Sequence, residues 1–297
     1  MKRTCLLLAL AALCAAGCND NDFEKQSELK RVRVLAIKAE PAELAFTDAG
    51  TLPAPVTFDA LTFAPGGAPV SVTYALCGPG DAFAQGFECP GKDGLTLSGG
   101  RLDLSDPAVQ QVLAQLAAAI GGGGVDAGGG GGDLQEALRV GIPLFVGYEA
   151  SDGTGTEAGT ERGVRRITLR QTAQPNQNPV ITDVQLADGG VATQLPGDRE
   201  VLLQPRLAEG SLEQYTAADG GVVSEQPFYS WYATGGELQQ LRSIEPANGL
   251  PGDPTVEYQT PASAQRVTFY VVARDERGGE GWLVREVDVA APVTTTP

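Results

Sequence analysis

The stretch Val267-Thr268-Phe269-Tyr270-Val271-Val272-Ala273-Arg274-Asp275 decides how the rest of the chain is read. Val267, Phe269, Val271 and Ala273 alternate with their neighbours, and a spacing of two marks an extended strand with one buried face. The run enters a turn over Arg274 to Gly281 that contains the turn-forming pair Gly278-Gly279, and Trp282 to Val289 returns. An earlier stretch repeats this order. Leu144, Val146, Tyr148 and Ala150 alternate, Ser151 to Gly163 is a glycine-rich turn holding Asp152-Gly153, and Val164 to Arg170 returns. The chain therefore contains two closing hairpins.

Outward from each hairpin the same elements precede it. Val32 to Ala39, Val56 to Phe63 and Val70 to Cys77 read as strands in the first half, and Val180 to Leu186, Val201 to Leu207 and Phe228 to Thr234 in the second. In the third strands Val70, Val72, Tyr74 and Leu76 share a face, as do Tyr229, Trp231 and Ala233, so Trp231 stands where Tyr74 stands. Short strands separated by turns predict an all-β chain of two tandem antiparallel β-sandwiches, over 31–170 and 179–290. A linker is expected over 171–178, where Gln171 to Pro179 offers no apolar side chain larger than Ala, and a disordered tail over 291–297.

One insertion, 105–140, breaks the strand pattern. Asp106 followed by Pro107 is a helix start, with the aspartate as cap and the proline in the first turn. Val109, Val112, Leu113, Leu116 and Ile120 then recur at helical spacing until Gly121. This apolar face is expected to cover a sheet edge or an end of the sandwich. A second short helix is expected from Asp133, with Glu136 as its capping-box partner. The glycines between, Gly121–Gly124 and Gly128–Gly132, lack the Gly-Lys-Ser/Thr of a phosphate loop and read as a flexible connection.

Each half resembles an immunoglobulin-like domain of the bacterial surface type, similar in look to PKD and fibronectin type III modules. Tyr229-Ser230-Trp231-Tyr232-Ala233 is similar to the strand that carries their core aromatic, and Phe269 to Asp275 to their final hairpin. The second half departs from the immunoglobulin pattern in having no cysteine. In the first, Cys77 and Cys89 are too close in sequence for the usual bridge between sheets, so a bridge between them is expected to pin a local loop.

The N-terminus carries a different signal. Lys2 and Arg3 precede an apolar run from Cys5 to Cys14, and Ala15-Ala16-Gly17 puts small residues directly before Cys18. This is a signal peptide over 1–17, shorter than the roughly 20 apolar residues of a membrane span. The cysteine after a small triplet resembles the bacterial lipobox, with Ala15 where that family most often has Leu. The resemblance implies cleavage before Cys18, acylation of its thiol, and a polar tether over 18–30. Plain secretion and an uncleaved anchor are the alternatives.

With Cys18 taken by lipid, Cys77 and Cys89 remain as a pair in an oxidising compartment. Closing the loop Gly78 to Glu88 would contribute about 3 kcal/mol on the chain-entropy model. The spacing is not the C-x-x-C of a redox pair. A net charge of −16 repels nucleic acid and anionic headgroups, leaving lipid as the expected membrane contact.

The chain has no histidine, which excludes Ser-His-Asp triads, Cys-His dyads and His-ligated metals. Two thiols outside the signal and lipid positions are too few for a Cys₄ zinc site. Carboxylate chemistry passes this filter, because glycoside hydrolysis needs only two acidic side chains and the chain has 37. The candidate cofactor is Ca²⁺, by resemblance to calcium-holding loops of cadherin-like and PKD-like modules. Asp152 with Glu157, and Asp275 with Glu276 and Glu280, supply hard oxygens in the two hairpin turns. Trp231 reads as core, and Trp282, just after a turn, as a candidate for stacking on sugar.

These residues lead to one expectation and two alternatives. The first is a non-enzymatic protein anchored by lipid at Cys18 to the outer membrane of a Gram-negative envelope, which binds, adheres or makes structural contact with an envelope protein or polysaccharide. The alternatives are a carboxylate-dependent, carbohydrate-active enzyme and a calcium- or sugar-binding adhesin.

Overall fold

Alternating apolar side chains need a second layer to cover them, and in both halves the chain supplies that layer itself. The computed structural model describes residues 29–46, 51–78, 89, 94–121, 134–217 and 220–292. The first half contains β1 (Arg33–Glu40), β2 (Leu44–Phe46), β3 (Val56–Phe63), β4 (Ser71–Leu76), β5 (Leu95–Thr96) and β6 (Arg101–Leu102). Helices α1 (Pro107–Gly121) and α2 (Leu134–Val140) follow, and then the hairpin of β7 (Ile142–Ser151) and β8 (Thr160–Gln171). The strands form two sheets in the orders β1-β3-β6 and β2-β8-β7-β4-β5.

The second half contains β9 (Ile181–Leu186), β10 (Gln194–Leu195), β11 (Glu200–Leu207), β12 (Gln214–Thr216), β13 (Val222–Ser224) and β14 (Phe228–Ala233). It continues with β15 (Glu237–Leu238), β16 (Arg242–Ile244), β17 (Val256–Gln259), β18 (Gln265–Arg274) and β19 (Glu280–Val289). Its sheets run β15-β17-β11-β9 and β10-β19-β18-β14-β16, with β12 and β13 a separate ribbon.

Laid over one another, the halves have the same topology. In each, the opening strand (β1 or β9) pairs with the third (β3 or β11) in one sheet. The short strand after it crosses to the other sheet and lies parallel to the last strand, β2 on β8 and β10 on β19. The remaining pairs along that sheet are antiparallel, through the closing hairpin to β4 or β14. This division of strands between two sheets, with an aromatic on the third long strand, is the immunoglobulin-like sandwich. The register supports the equivalence of Tyr74 and Trp231. Both are fourth in their strands, and they pair with Tyr148 and Val271 at matching places on β7 and β18.

The expected long strands form within a residue or two of their predicted ends, except that β8 begins at Thr160, four residues before the expected Val164, because Thr160 to Gly163 already pair with β7. Strands of two or three residues, such as β2, β5, β6 and β10, were not expected, because so short a stretch shows no period. The helical insertion lies between β6 and β7, where the second half passes from β17 to β18 through residues 260–264. At its start Asp106 Oδ1 accepts from the Ala108 N–H at 2.8 Å, capping α1 as expected. Val109 is buried, and Val112, Leu113 and Leu116 pack beside it against the first core. The side chain of Ile120, the cap at Asp133 and the glycine runs lie outside the described residues, as do the signal peptide, Cys18 and residues 293–297.

The two cores differ in how they are filled. The second holds Tyr229, Trp231, Tyr258 and Phe269, each with no exposed surface, and the Tyr258 and Phe269 rings meet edge-on with centroids 4.9 Å apart. Each such side chain contributes roughly 1.5–3 kcal/mol by leaving water. The polar tips of all three that carry one are satisfied: Trp231 Nε1–H donates to Ser243 Oγ at 2.9 Å, the Tyr229 hydroxyl to Glu245 Oε1 at 2.7 Å and the Tyr258 hydroxyl to the Gly235 carbonyl at 2.7 Å. The first core is mostly aliphatic, with Phe58 and Tyr74 as its aromatic pair at 5.6 Å.

The interdomain joint and the candidate site residues

In β3, Val56 and Phe58 point into the first core, while Leu61 and Phe63 lie on the opposite parity. A register shift between Val34 and Ala36 in β1 likewise leaves Leu35 and Ala36 outside that core. A strand apolar on both faces needs cover on both. Here the outer face of the second domain's larger sheet supplies it. Val272 is fully buried there, and Tyr232, Tyr270 and Trp282 pack around it against Leu35, Leu61 and Phe63. Phe63 and Tyr270 meet edge-on at 6.1 Å, and Lys38 Nζ sits 5.2 Å from the centre of the Trp282 ring. Trp282, the candidate for sugar stacking, is a half-buried member of this seam.

Charged groups ring the apolar seam, and Glu280 is at their centre. Its carboxylate meets Arg165 of the first domain at 3.0 Å and Arg274 of its own at 2.9 Å, and Oε2 accepts the Ile37 N–H at 3.0 Å. Arg274 also reaches across to the Leu35 carbonyl at 2.8 Å and to Ser230 Oγ at 2.9 Å. Arg165 donates to the Gly278 carbonyl. Burial pulls Arg165 below its usual pKa, with Glu280 the main opposing influence. A cavity of about 150 Å³ lies beside these groups, lined by Val34 to Ile37, Tyr148, Arg165, Arg166, Arg274 and Glu280.

The segment read as a linker is built into the same joint. Asn176 is 2% exposed; its N–H donates to Glu43 Oε1 of the first domain at 2.6 Å and its side-chain amide to Asp275 at 3.1 Å. Asn178 Nδ2 donates to the Ala39 carbonyl at 2.7 Å while its Oδ1 accepts from the Glu280 N–H at 2.9 Å. Gly281 has to be glycine here, since a Cβ would run into the Pro179 carbonyl oxygen. A second cluster follows: Arg277, 6% exposed, faces Glu43 at 3.6 Å, Glu213 at 3.3 Å and Glu225 at 3.4 Å.

The structure separates the acidic candidates. Asp275 accepts from the N–H groups of Arg277 at 2.8 Å and Gly279 at 2.7 Å as well as from Asn176. Its burial raises its pKa. Glu280 faces arginines, and the exposed Glu276 accepts the Tyr215 hydroxyl at 3.3 Å. Asp152 accepts from Thr154 N–H and Oγ1 at 2.9 and 2.7 Å, which lowers its pKa, and Glu157 is exposed on the same turn. Among the described residues no three acidic or thiol side chains converge as a metal cage. Burial first, with the nearby Asp275 and Glu213 charges, pushes Glu225 up to about 7. With that side chain 1% exposed, a sugar cannot reach it.

Cys77 and Cys89 are bonded, with Cα atoms 5.7 Å apart. The bridge lies over the outer face of the first domain's larger sheet at Gly147, where a Cβ would stand 3.2 Å from Cys77 Sγ. It joins two points between β4 and β5 and so pins a local loop.

The arginines of the joint, Arg165, Arg274 and Arg277, together with Glu43, Glu213, Glu225 and Asn176, had not been singled out from the sequence. The available signal was the apolar run Val34 to Ile37 and the split parity of β3, which announce a covered outer face but not its partner.

No protein-family model matches the chain, and no curated protein matches it. Among solved structures it is similar to the D0-D1 domain of intimin, at 10% identity, covering 87% of this chain and 99% of that one with a TM-score of 0.24. The D00-D0 domain of intimin gives 10% identity, 88% and 98% coverage, and 0.24. Protocadherin gamma B7 extracellular cadherin domains 1–4 give 12% identity, 85% and 49% coverage, and 0.18. Scores this low carry no weight, so the fold assignment rests on the strand topology. Among the described residues no helix is long and apolar enough to cross a membrane.

Proposed function

We propose that this chain is a lipid-anchored protein of the bacterial cell envelope, cleaved before Cys18 and held by acyl chains on that cysteine, probing or bridging its surroundings with a stiff pair of immunoglobulin-like sandwiches. Its role is non-enzymatic: adhesion, binding or structural contact with an envelope protein or a polysaccharide, at the outer membrane of a Gram-negative cell. The observation that carries this reading is the joint. The buried charged groups around Glu280 and Arg277 are engaged in holding one sandwich against the other, and the linker is part of the contact. Such a body transmits position and force from its anchor. Several acyl chains, at about 0.8 kcal/mol per buried CH₂, suffice for firm retention.

Metabolic labelling with a palmitate analogue tests the anchor. The wild type takes label and floats with membranes, and Cys18→Ala takes none; equal labelling of both removes the anchor from the proposal. Cross-linking in intact cells tests the role. An envelope protein or polysaccharide captured by the wild type and lost with Cys18→Ala supports contact at the membrane.

A further inference from the structure

Arg277 is a cation that both domains contend for. Its guanidinium faces Glu43 of the first domain, and Glu213 and Glu225 of the second. A fourth carboxylate, Asp275, is 5% exposed and accepts the Arg277 N–H. Arg170 of the first domain pairs with Glu43 at 2.9 Å. The other groups around Glu225 are the Glu213 N–H, which donates to it at 3.0 Å, and the Tyr215 ring, 5.0 Å from the guanidinium. The Tyr215 hydroxyl goes to Glu276, and the Gln174 carbonyl accepts from Arg277 at 2.8 Å. Three carboxylates thus share two guanidiniums, with Glu43 and Glu225 each 1% exposed, and the Asp275 carboxylate stands beside them on the Arg277 backbone N–H. Charges withdrawn from water have to be balanced locally, and a proton is the smallest group that can do so.

We propose that a proton on Glu225 closes the interdomain joint. With Glu225 neutral, Arg277 is left to Glu43 and Glu213, and the pairing across the domain boundary tightens. With Glu225 ionised, the guanidinium is drawn back into its own domain, the cluster carries its full negative excess, and the contact with Glu43 weakens. The carboxyl is raised from 4.5 to about 7, by its burial first and by the Asp275 and Glu213 charges, against the Glu213 N–H and Arg277. Between those two values the folded chain holds a proton that the unfolded chain releases. This contribution to stability is therefore complete below about pH 4.5 and lost as pH rises through about 7. The device is independent of what the protein binds.

The test uses the full chain in detergent, melted at several values between pH 5 and 8.5. The wild type is expected to lose a few degrees of Tm, on the order of 3–6 °C, as pH rises across that window. Glu225→Gln, fixed in the neutral form, is expected to flatten the response and to melt at or above the wild type at pH 8. A variant with the wild-type slope overturns the proposal. Titration of the carbon-13 side-chain carboxyl signal in the unmodified chain stands even where the variant fails to fold, and a midpoint in the ordinary glutamate range also overturns it. Small-angle scattering addresses the joint: the wild type is expected to expand from pH 5 to 8.5. Unchanged dimensions alongside a shifting Tm would place the proton in the second sandwich alone and remove the joint from its action.

Discussion

The two closing hairpins occupy the same place in the same topology, and both turns are acidic, yet their carboxylates are in opposite states. In the first, Asp152 lies at the surface, bound by Thr154 of its own turn and held below its usual pKa. In the second, Asp275 is buried against Asn176 and pushed up, and Glu280 stands between arginines of both domains. The difference lies in what packs on the turn. The second sheet has an apolar outer face around Val272 that the first domain covers, and its turn is carried into the contact with it. The first turn, past the other end of the seam, keeps to water. An acidic turn therefore has no fixed role; its surroundings make it a solvated cap or part of an interface.

Glu280→Ala is the strongest way to break that contrast. It leaves Arg165 and Arg274 without their carboxylate and the Ile37 N–H without its acceptor, in a joint where Arg165 is 13% exposed. Removing one member of a buried pair costs about 3–5 kcal/mol. Urea unfolding is expected to show that loss and to divide into two transitions, one for each sandwich. Glu157→Ala on the opposite turn is expected to change stability by less than about 0.5 kcal/mol. Equal effects at the two positions would mean that packing does not distinguish the turns.

The second difference between the sandwiches is the bridge. The first domain has an aliphatic core and a disulfide; the second has a core of four fully buried aromatics and no cysteine. Cys77→Ser with Cys89→Ser is expected to lower the stability of the first domain by about 2–3 kcal/mol, since the closed loop is short. The second domain's transition, isolated in the Glu280→Ala background, is expected to stay where it was. A shift of both would mean that the bridge over Gly147 also supports the joint.

The hairpins were legible because seven residues of alternation in each leave little freedom of interpretation, and Trp231 was legible as core because it shares a face with Tyr229 and Ala233. Strands β2 and β10, which complete the immunoglobulin-like topology by lying parallel to the last strands, have three and two residues and no period to read. The joint was half visible. Leu61 and Phe63 fall on the wrong parity for the core that holds Val56 and Phe58, so a second covering layer was implied. Its identity depended on Val272 and Trp282, more than two hundred residues away, and no local pattern reaches that far. The acidic residues Asp275 and Glu280 were picked out as sources of hard oxygen. The arginine partners of Glu280 in β8 and β18 give no such signal, because charged residues on strands ordinarily face water.

Calcium gives the smallest expected effect and compares the two turns directly. A site with a Kd of about 0.1 mM, near the range of extracellular modules, would add about 2.7 kcal/mol at 10 mM Ca²⁺ and raise Tm by several degrees. At the second turn the oxygens of Asp275 and Glu280 already accept from backbone N–H groups, an amide and two guanidiniums, and calcium would have to displace all of these. At the first, Asp152 Oδ1 is engaged by Thr154, and Glu157 would have to be drawn in from an exposed position. Calcium takes six to eight oxygens, and among the described residues neither turn brings three acidic side chains together. The expected change in Tm at 10 mM Ca²⁺ is below about 1 °C, measured with magnesium as the ionic-strength control. A rise of several degrees with calcium alone, abolished by Asp152→Asn and kept by Glu280→Ala, would show that the solvated turn is the one with a ligand.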